Sequence, residues 1–111
     1  MQILGAELLL DEGWIRSGIE TIYCSDLMSD ILSFSNSRSL LLTGLINPQI
    51  VRTASMVEIA AICFVHGKAP HQDTIELARQ DEIVLLSTGL SMYEASGKLY
   101  AAQSREANDV P

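Results

Sequence analysis

Residues 60–67 read AAICFVHG, and they give the strongest indication of the fold class. Every position from Ala60 to Val65 is apolar, which is typical of an inner strand that is covered on both faces of a sheet. The strand ends at His66-Gly67, and a helix with inward apolar positions is predicted from about His71 to Gln80. The stretch therefore predicts a buried strand followed by a helix, which is the repeating unit of a parallel α/β sheet.

The same order of strand and helix occurs on both sides of this stretch. Upstream, the strand Leu40–Leu42 precedes a helix over Pro48–Glu58, with Asn47 as a capping residue and proline at the first helical position. Downstream, the strand Ile83–Leu86 precedes the last helix. Three consecutive units of this kind predict an α/β fold: a single domain with a largely parallel sheet and flanking helices. The pattern does not give the strand order.

The N-terminal part of the chain predicts two short strands and a short helix. The strands are Ala6–Leu10 and Ile19–Cys24, which are separated by a turn sequence and are compatible with a loose hairpin. Apolar residues at near-helical spacing follow from Leu27, and Ser25 or Asp26 is available to cap that helix.

The last helix has the clearest start signal. Ser91 and Glu94 form the S-x-x-E capping-box pattern, in which each side chain bonds the other residue's backbone N–H. Residues 104–111 lack apolar spacing and are expected to be a polar, disordered tail. The predicted domain therefore covers residues 1–103.

Composition excludes several classes of function. The 111 residues include 48% hydrophobic and 19% charged residues, a balance typical of one globular domain. The net charge of -7 argues against binding to nucleic acid or to an anionic membrane surface. No signal peptide and no apolar run of about 20 residues is recognisable, so we expect a cytoplasmic protein. Cys24 and Cys63 each lie in a hydrophobic stretch, where reduced, buried thiols are expected.

The loops that follow the predicted strands are the candidate binding region. They are rich in glycine and small hydroxyl residues, and each precedes a helix whose free N–H groups favour an anion. The alternative is that these residues serve only as caps and tight turns. The residues that would form the ligand site are Asp26, Thr43, Gly44, His66, Gly67, Lys68, Ser87 and Thr88.

One group of residues resembles a metal site. His66, His71 and Asp73, with Cys63 nearby in sequence, are metal-ligating types, but a structural zinc site needs four ligands and an ordered second shell. Solvated loop histidines are the more common case, so no metal and no cofactor is predicted.

Catalytic signatures are absent from the sequence. Ser87 or Cys24 can be combined with His66 and Asp26 on paper, but no G-x-S-x-G nucleophile elbow and no phosphate-binding P-loop motif occurs. We therefore predict no catalytic residue and no enzymatic activity.

Several short motifs occur in an order that resembles the small DRTGG-domain proteins. The motifs are Gly5-Ala6-Glu7, Tyr23-Cys24-Ser25-Asp26-Leu27-Met28-Ser29-Asp30, Leu41-Leu42-Thr43-Gly44, Ala60-Ala61-Ile62, Ile75-Glu76-Leu77-Ala78 and Leu86-Ser87-Thr88. The resemblance extends to about residue 102. It implies a fold similar to the N-terminal domain of HPr kinase/phosphorylase, and a role like that of DRTGG domains attached to phosphate acetyltransferases and CBS-domain pyrophosphatases, which look like regulatory or dimerising modules.

The resemblance also implies which positions matter. The characteristic positions of the family fall on Asp26, Thr43, Gly44 and Gly67. Many members carry Thr-Gly-Gly where this chain has Val65-His66-Gly67, which puts a shared ligand in doubt. Asp81-Glu82 replaces a glycine turn that is common in the family.

Two functions are consistent with the sequence. The first is a non-catalytic regulatory or assembly module that forms a homodimer and has a possible protein partner. The alternative is a sensor that binds a nucleotide or another phosphate-bearing anion at the strand-end loops. A stand-alone enzyme ranks third, because no catalytic motif supports it.

Overall fold

One parallel sheet organises the chain. The computed structural model describes residues 3–4, 21–33 and 38–108, and within them five strands lie in the order β1-β5-β4-β3-β2 with every neighbouring pair parallel. The α/β class predicted from the sequence is confirmed. The strands are β1 (Ile3–Leu4), β2 (Thr21–Cys24), β3 (Ser39–Thr43), β4 (Ile59–Phe64) and β5 (Val84–Ser87).

Helices follow four of the strands. They are α1 (Met28–Ile31), α2 (Pro48–Ser55), α3 (Gln72–Gln80) and α4 (Met92–Asn108). Helix α2 starts at its proline as predicted, but it ends before Glu58, which adopts a left-handed φ of 60° in the turn into β4. None of the helices in the described part of the chain has the length and apolar character that a membrane crossing requires.

The first face of the sheet is covered by α1, α2 and α3. Alternate strand residues such as Leu41, Ile62 and Leu85 point to this face, because successive side chains of a strand lie on opposite sides. They form one buried cluster with Ile31 of α1 and Ala78 of α3. Phe64 is the largest fully buried side chain of this cluster.

The second face of the sheet is covered by α4. Leu40, Leu42 and Leu86 are fully buried there, and Ala95 and Leu99 of α4 pack against them. The capping box predicted at the start of α4 is confirmed: the Glu94 N–H donates to Ser91 Oγ, and the Ser91 N–H donates to Glu94 Oε1, each at 3.1 Å.

Helix α4 is longer than the sequence suggested. The sequence predicts a polar, disordered tail over residues 104–111, whereas α4 continues to Asn108. The physical reason is helix propensity, because Gln103, Arg105, Glu106 and Ala107 are all good helix formers. Residues 109–111 lie outside the described part.

The N-terminal strands are placed differently from the expected hairpin. Strand β2 pairs in parallel with β3, with Tyr23 level with Leu41. Strand β1 lies at the opposite edge of the sheet beside β5, with Leu4 level with Leu86. The predicted strand Ala6–Leu10 lies outside the described residues.

Two predicted helix caps are wrong. Leu27 is the N-cap residue of α1, and its N–H donates to Ser25 Oγ at 3.0 Å, whereas Asp26 turns toward β3 instead. Asn47 occupies the N-cap position of α2, but its side chain makes no capping bond and its Oδ1 is buried without a hydrogen-bond partner. In both cases the loop conformation, which sequence spacing does not specify, determines where the side chain points.

Candidate functional site

The strand-end loops meet at one edge of the sheet. Because all the strands are parallel, the segments that follow β2, β3, β4 and β5 leave from the same edge. Backbone bonds tie these loops together: the Val65 N–H donates to Thr43 O, and the Thr88 N–H donates to Phe64 O. The structure therefore gathers the predicted site residues, which form two groups.

The first group is built around the carboxylate of Asp26. Its Oδ1 accepts the Gly44 N–H at 2.6 Å and the Thr43 hydroxyl at 3.1 Å. Thr43 Oγ1 in turn accepts the Leu45 N–H at 3.1 Å. The loop after β2 is thereby fastened to the loop after β3 by the side chain of Asp26.

Lys68 reaches the same position from the loop after β4. Its Nζ donates to Gly44 O at 3.3 Å. A Cβ added at Gly44 would lie 3.4 Å from both Asp26 Oδ1 and Lys68 Nζ. A side chain larger than a methyl group at Gly44 would therefore displace one of the two charged groups, so the arrangement favours glycine for reasons of space.

The second group joins the loops after β4 and β5. His66 and Gly67 both have left-handed backbone conformations, with φ of 62° and 67°. The His66 N–H donates to Leu90 O at 2.8 Å, and the Gly67 N–H donates to Thr88 O at 2.7 Å. These two bonds need consecutive left-handed residues, which explains why glycine suits position 67.

His66 is the strained member of this group. A residue with a Cβ in the left-handed region costs about 1–2 kcal/mol more than glycine. A backbone conformation that favours glycine is thus kept here by a histidine whose side chain is exposed.

The hydroxyls of Thr43 and Thr88 form hydrogen bonds within the protein. Thr43 is completely buried, and its hydroxyl both donates to Asp26 and accepts from Leu45. Thr88 is 5% exposed, and its Oγ1 accepts the Leu90 N–H at 3.1 Å. Ser87 ends β5 and is half-buried, level with Phe64. The charged ends of Asp26 and Lys68 and the side chain of His66 remain at the surface of this edge.

Three cavities in the described part of the chain lie away from this edge. One of about 640 Å³ opens at the other end of the strands, beside Glu58 and Glu82. One of about 250 Å³ lies between α2 and α3. A third of about 710 Å³ is an apolar groove between β2 and α4. None of the eight predicted site residues lines any of these three cavities.

The groove between β2 and α4 was missed by the sequence analysis. Ile22 and Cys24 of β2 form one wall, and Ser96, Leu99 and Tyr100 of α4 form the other. Tyr93 and Tyr100, both on α4, are 87% and 73% exposed. The available signal was the presence of two tyrosines on the side of α4 opposite its buried positions Ala95 and Leu99.

The two cysteines differ in environment. Cys63 is buried as predicted, and burial raises the pKa of its thiol to about 12. Cys24 is exposed, contrary to our expectation, because β2 lies at the edge of the described sheet. Cys24 Sγ lies 3.1 Å from Ser96 Oγ. Both thiols are free.

Two of the residues considered for catalysis bond other groups in the structure. Asp26 Oδ1 accepts from Gly44 and Thr43, and Cys24 Sγ lies 3.1 Å from Ser96 Oγ. Across the described ranges, no three metal-ligating side chains lie close enough together to hold an ion.

Comparison with known proteins returned nothing for this chain: no family model matches it, and neither a curated protein nor a solved structure is similar to it.

Proposed function

We propose that this chain is a non-catalytic assembly module of the DRTGG type that acts as a homodimer. The observation that carries the proposal is the exposed aromatic surface of α4 beside an apolar groove lined by β2 and α4. Exposed aromatic side chains next to an apolar groove are typical of protein–protein contact surfaces. The motifs that resemble DRTGG proteins support the same role.

The strand-end edge supports this function by its internal bonding. Asp26 and Thr43 bond to each other and to the backbone, and Thr88 bonds to Leu90. These bonds fix the loops to one another. Such an edge stabilises a rigid scaffold, which suits a module whose role is contact with another chain.

The homodimer is tested by light scattering after size-exclusion chromatography. At tens of micromolar we expect twice the chain mass of 12.1 kDa, with the dimer fraction falling on dilution. A single species at the chain mass at every concentration up to the millimolar range would overturn the proposal.

A sensor of phosphate-bearing anions is the second candidate, and Lys68 is the observation that favours it. Its ammonium group has three donors, and the contact with Gly44 O uses one of them. Lys68 is exposed at the edge where the loops meet. An anion bound there would contact Lys68 and would avoid the carboxylate of Asp26.

Thermal unfolding with nucleotides and inorganic phosphate tests the sensor. A ligand at 100 times its dissociation constant should stabilise the protein by about 2.7 kcal/mol, and Lys68→Ala should remove that gain. Lys98→Ala, which removes the other lysine, is the matched control and should leave it unchanged. Equal stabilisation of wild type and Lys68→Ala would reject this site.

A further inference from the structure

We infer that the homodimer forms by antiparallel packing of α4 against α4 of a second copy, across a two-fold axis near Gly97; this inference rests on the proposed function. The contact surface is the outer side of α4, opposite the buried Ala95 and Leu99. We call it the outer α4 surface. It consists of Tyr93, Glu94, Gly97, Lys98, Tyr100 and Ala101, all of which are exposed.

Helical spacing sorts these residues into a centre and two flanks. At 100° per residue, Gly97 lies at the middle of the outer α4 surface, directly opposite the buried stripe. Glu94 and Lys98 lie on one flank, and Tyr93 and Tyr100 lie on the other. The surface therefore has a charged flank, an aromatic flank and a centre without a side chain.

A two-fold axis perpendicular to α4 makes this surface complementary to itself. Such an axis reverses the helix direction and keeps each flank against the same flank of the partner. With the axis level with residues 96–97, Glu94 of one copy lies level with Lys98 of the other, and the reverse holds by symmetry. Tyr93 lies level with Tyr100 of the second copy in the same way.

Parallel packing of the same two helices would not pair the opposite charges. A two-fold axis parallel to α4 exchanges the flanks, so that the charged flank of one copy lies against the aromatic flank of the other. The antiparallel arrangement is therefore the one that brings Glu94 of one copy to Lys98 of the other.

Gly97 permits the helix axes to approach each other. A glycine in a helix interior costs about 1 kcal/mol relative to alanine, so its presence in the middle of α4 needs a reason. The described part of the chain gives none, since a Cβ added at Gly97 would meet nothing there within 4 Å. A second helix packed over this position supplies the reason, because the absence of a side chain brings the flanking tyrosines into contact.

The apolar groove beside Tyr100 extends the proposed contact surface next to the helix.

Charge-reversal variants, measured by sedimentation equilibrium, test this arrangement. Lys98→Glu should weaken the dimer about tenfold or more, because each contact then pairs two carboxylates. Glu94→Lys should weaken it similarly. An equimolar mixture of the two variants should form a heterodimer of about wild-type affinity, because every contact is again between opposite charges. Arg79→Glu on α3 carries the same charge change as Lys98→Glu and should leave the dimer intact.

A neutral variant separates packing from charge. Gly97→Trp places a large side chain at the proposed axis, where the single chain has room for it, so we expect a folded monomer. Circular dichroism checks the fold of each variant. If the folded variants dimerise like wild type and mixing the two charge-reversal variants does not increase the affinity, the outer α4 surface is not the interface. That result would leave the homodimer proposal intact. A monomeric wild type would overturn both.

Discussion

The two faces of the sheet are covered unequally, and the connections between the strands explain why. Strands β2 to β5 are neighbours in chain order, so each connection from β2 to β5 moves one position in the same direction. Right-handed crossovers that all move in one direction place their helices on one face. Helices α1, α2 and α3 therefore share the first face, and α4, which no described strand follows, is left to cover the second.

The two faces of the sheet differ in how fully helices cover them, and not in their apolar content. Both faces contain fully buried leucines along the central strands. On the second face, however, α4 covers Leu42 and Leu86 but leaves Cys24 exposed at the edge strand β2. The contact surface proposed above is thus a direct consequence of the strand order.

The largest expected difference is between two thiols of the second face, because Cys24 is exposed and Cys63 is buried. With a pKa of about 12, on the order of one Cys63 thiol in ten thousand is ionised at pH 8, and the side chain is buried under α4. We expect a disulfide reagent to modify Cys24 at least about a thousandfold faster than Cys63 in the native protein. In denaturant both thiols should react, and Cys24→Ser should remove the fast phase. Two fast native thiols would mean that α4 does not seal the centre of this face.

Core truncation compares the two faces directly. Phe64→Ala on the first face should lower the free energy of unfolding by about 4 kcal/mol, because three helices hold the cavity open. Leu99→Ala on the second face should lower it by about 2–3 kcal/mol, since the adjoining groove lets the neighbours relax. Urea denaturation monitored by circular dichroism measures both values. A larger loss for Leu99→Ala would contradict the view that the second face is more loosely covered.

The capping box at the start of α4 should contribute less to the free energy of unfolding than the two core side chains. Ser91→Ala removes one half of the capping box and should lower the free energy of unfolding by about 1 kcal/mol. The backbone N–H of Ser91 and its hydroxyl hold the pKa of Glu94 below its ordinary value near 4.5. A carboxyl whose pKa is lowered by folding stabilises the protein above its unfolded pKa, and this stabilisation is lost as the pH falls through the folded value. The stability difference between wild type and Glu94→Gln should accordingly shrink between pH 5 and pH 3, whereas a constant difference would exclude this charge effect.

Substitution in the turns that lead into β4 and β5 should change the free energy of unfolding least. Here we expect the protein to become more stable. Glu58 and Glu82 both hold a left-handed φ, of 60° and 58°, where α2 and α3 turn into β4 and β5. Glu82→Gly relieves this strain and should raise the free energy of unfolding by up to about 1 kcal/mol. Glu82→Ala removes the charge but keeps the Cβ, so it should give no such gain. If both variants are equally stabilising, charge rather than backbone strain is responsible.

Much of the architecture could be predicted from local sequence signals. The all-apolar run at Ala60–Val65, the proline at position 48 and the Ser91–Glu94 pair each specify an element by nearest-neighbour chemistry, and each is found in the structure. Parallel strands also require their end loops to share one edge, so the gathering of the candidate site residues followed from the fold class alone.

The remainder depends on contacts that sequence spacing does not encode. Asp26 has the character of a helix cap, but it bonds Gly44 from 18 positions away because the loops after β2 and β3 lie side by side. The placement of β1 beside β5 depends on the strand order, which the pattern left open. His66 shares the left-handed conformation of Gly67, a feature that only the backbone reveals.

The pairing of β1 with β5 has a consequence for synthesis on the ribosome. Strand β1 emerges first, but its partner residue for Leu4 is Leu86, near the other end of the chain. At typical elongation rates of 5–20 residues per second, Leu4 waits roughly 4–16 s for that partner. Strands β2 to β5 meet their neighbours as each is made, so the nascent protein can assemble most of its sheet before its N-terminus docks. Premature termination before β5 would leave Ile3 and Leu4 without the strand that anchors them.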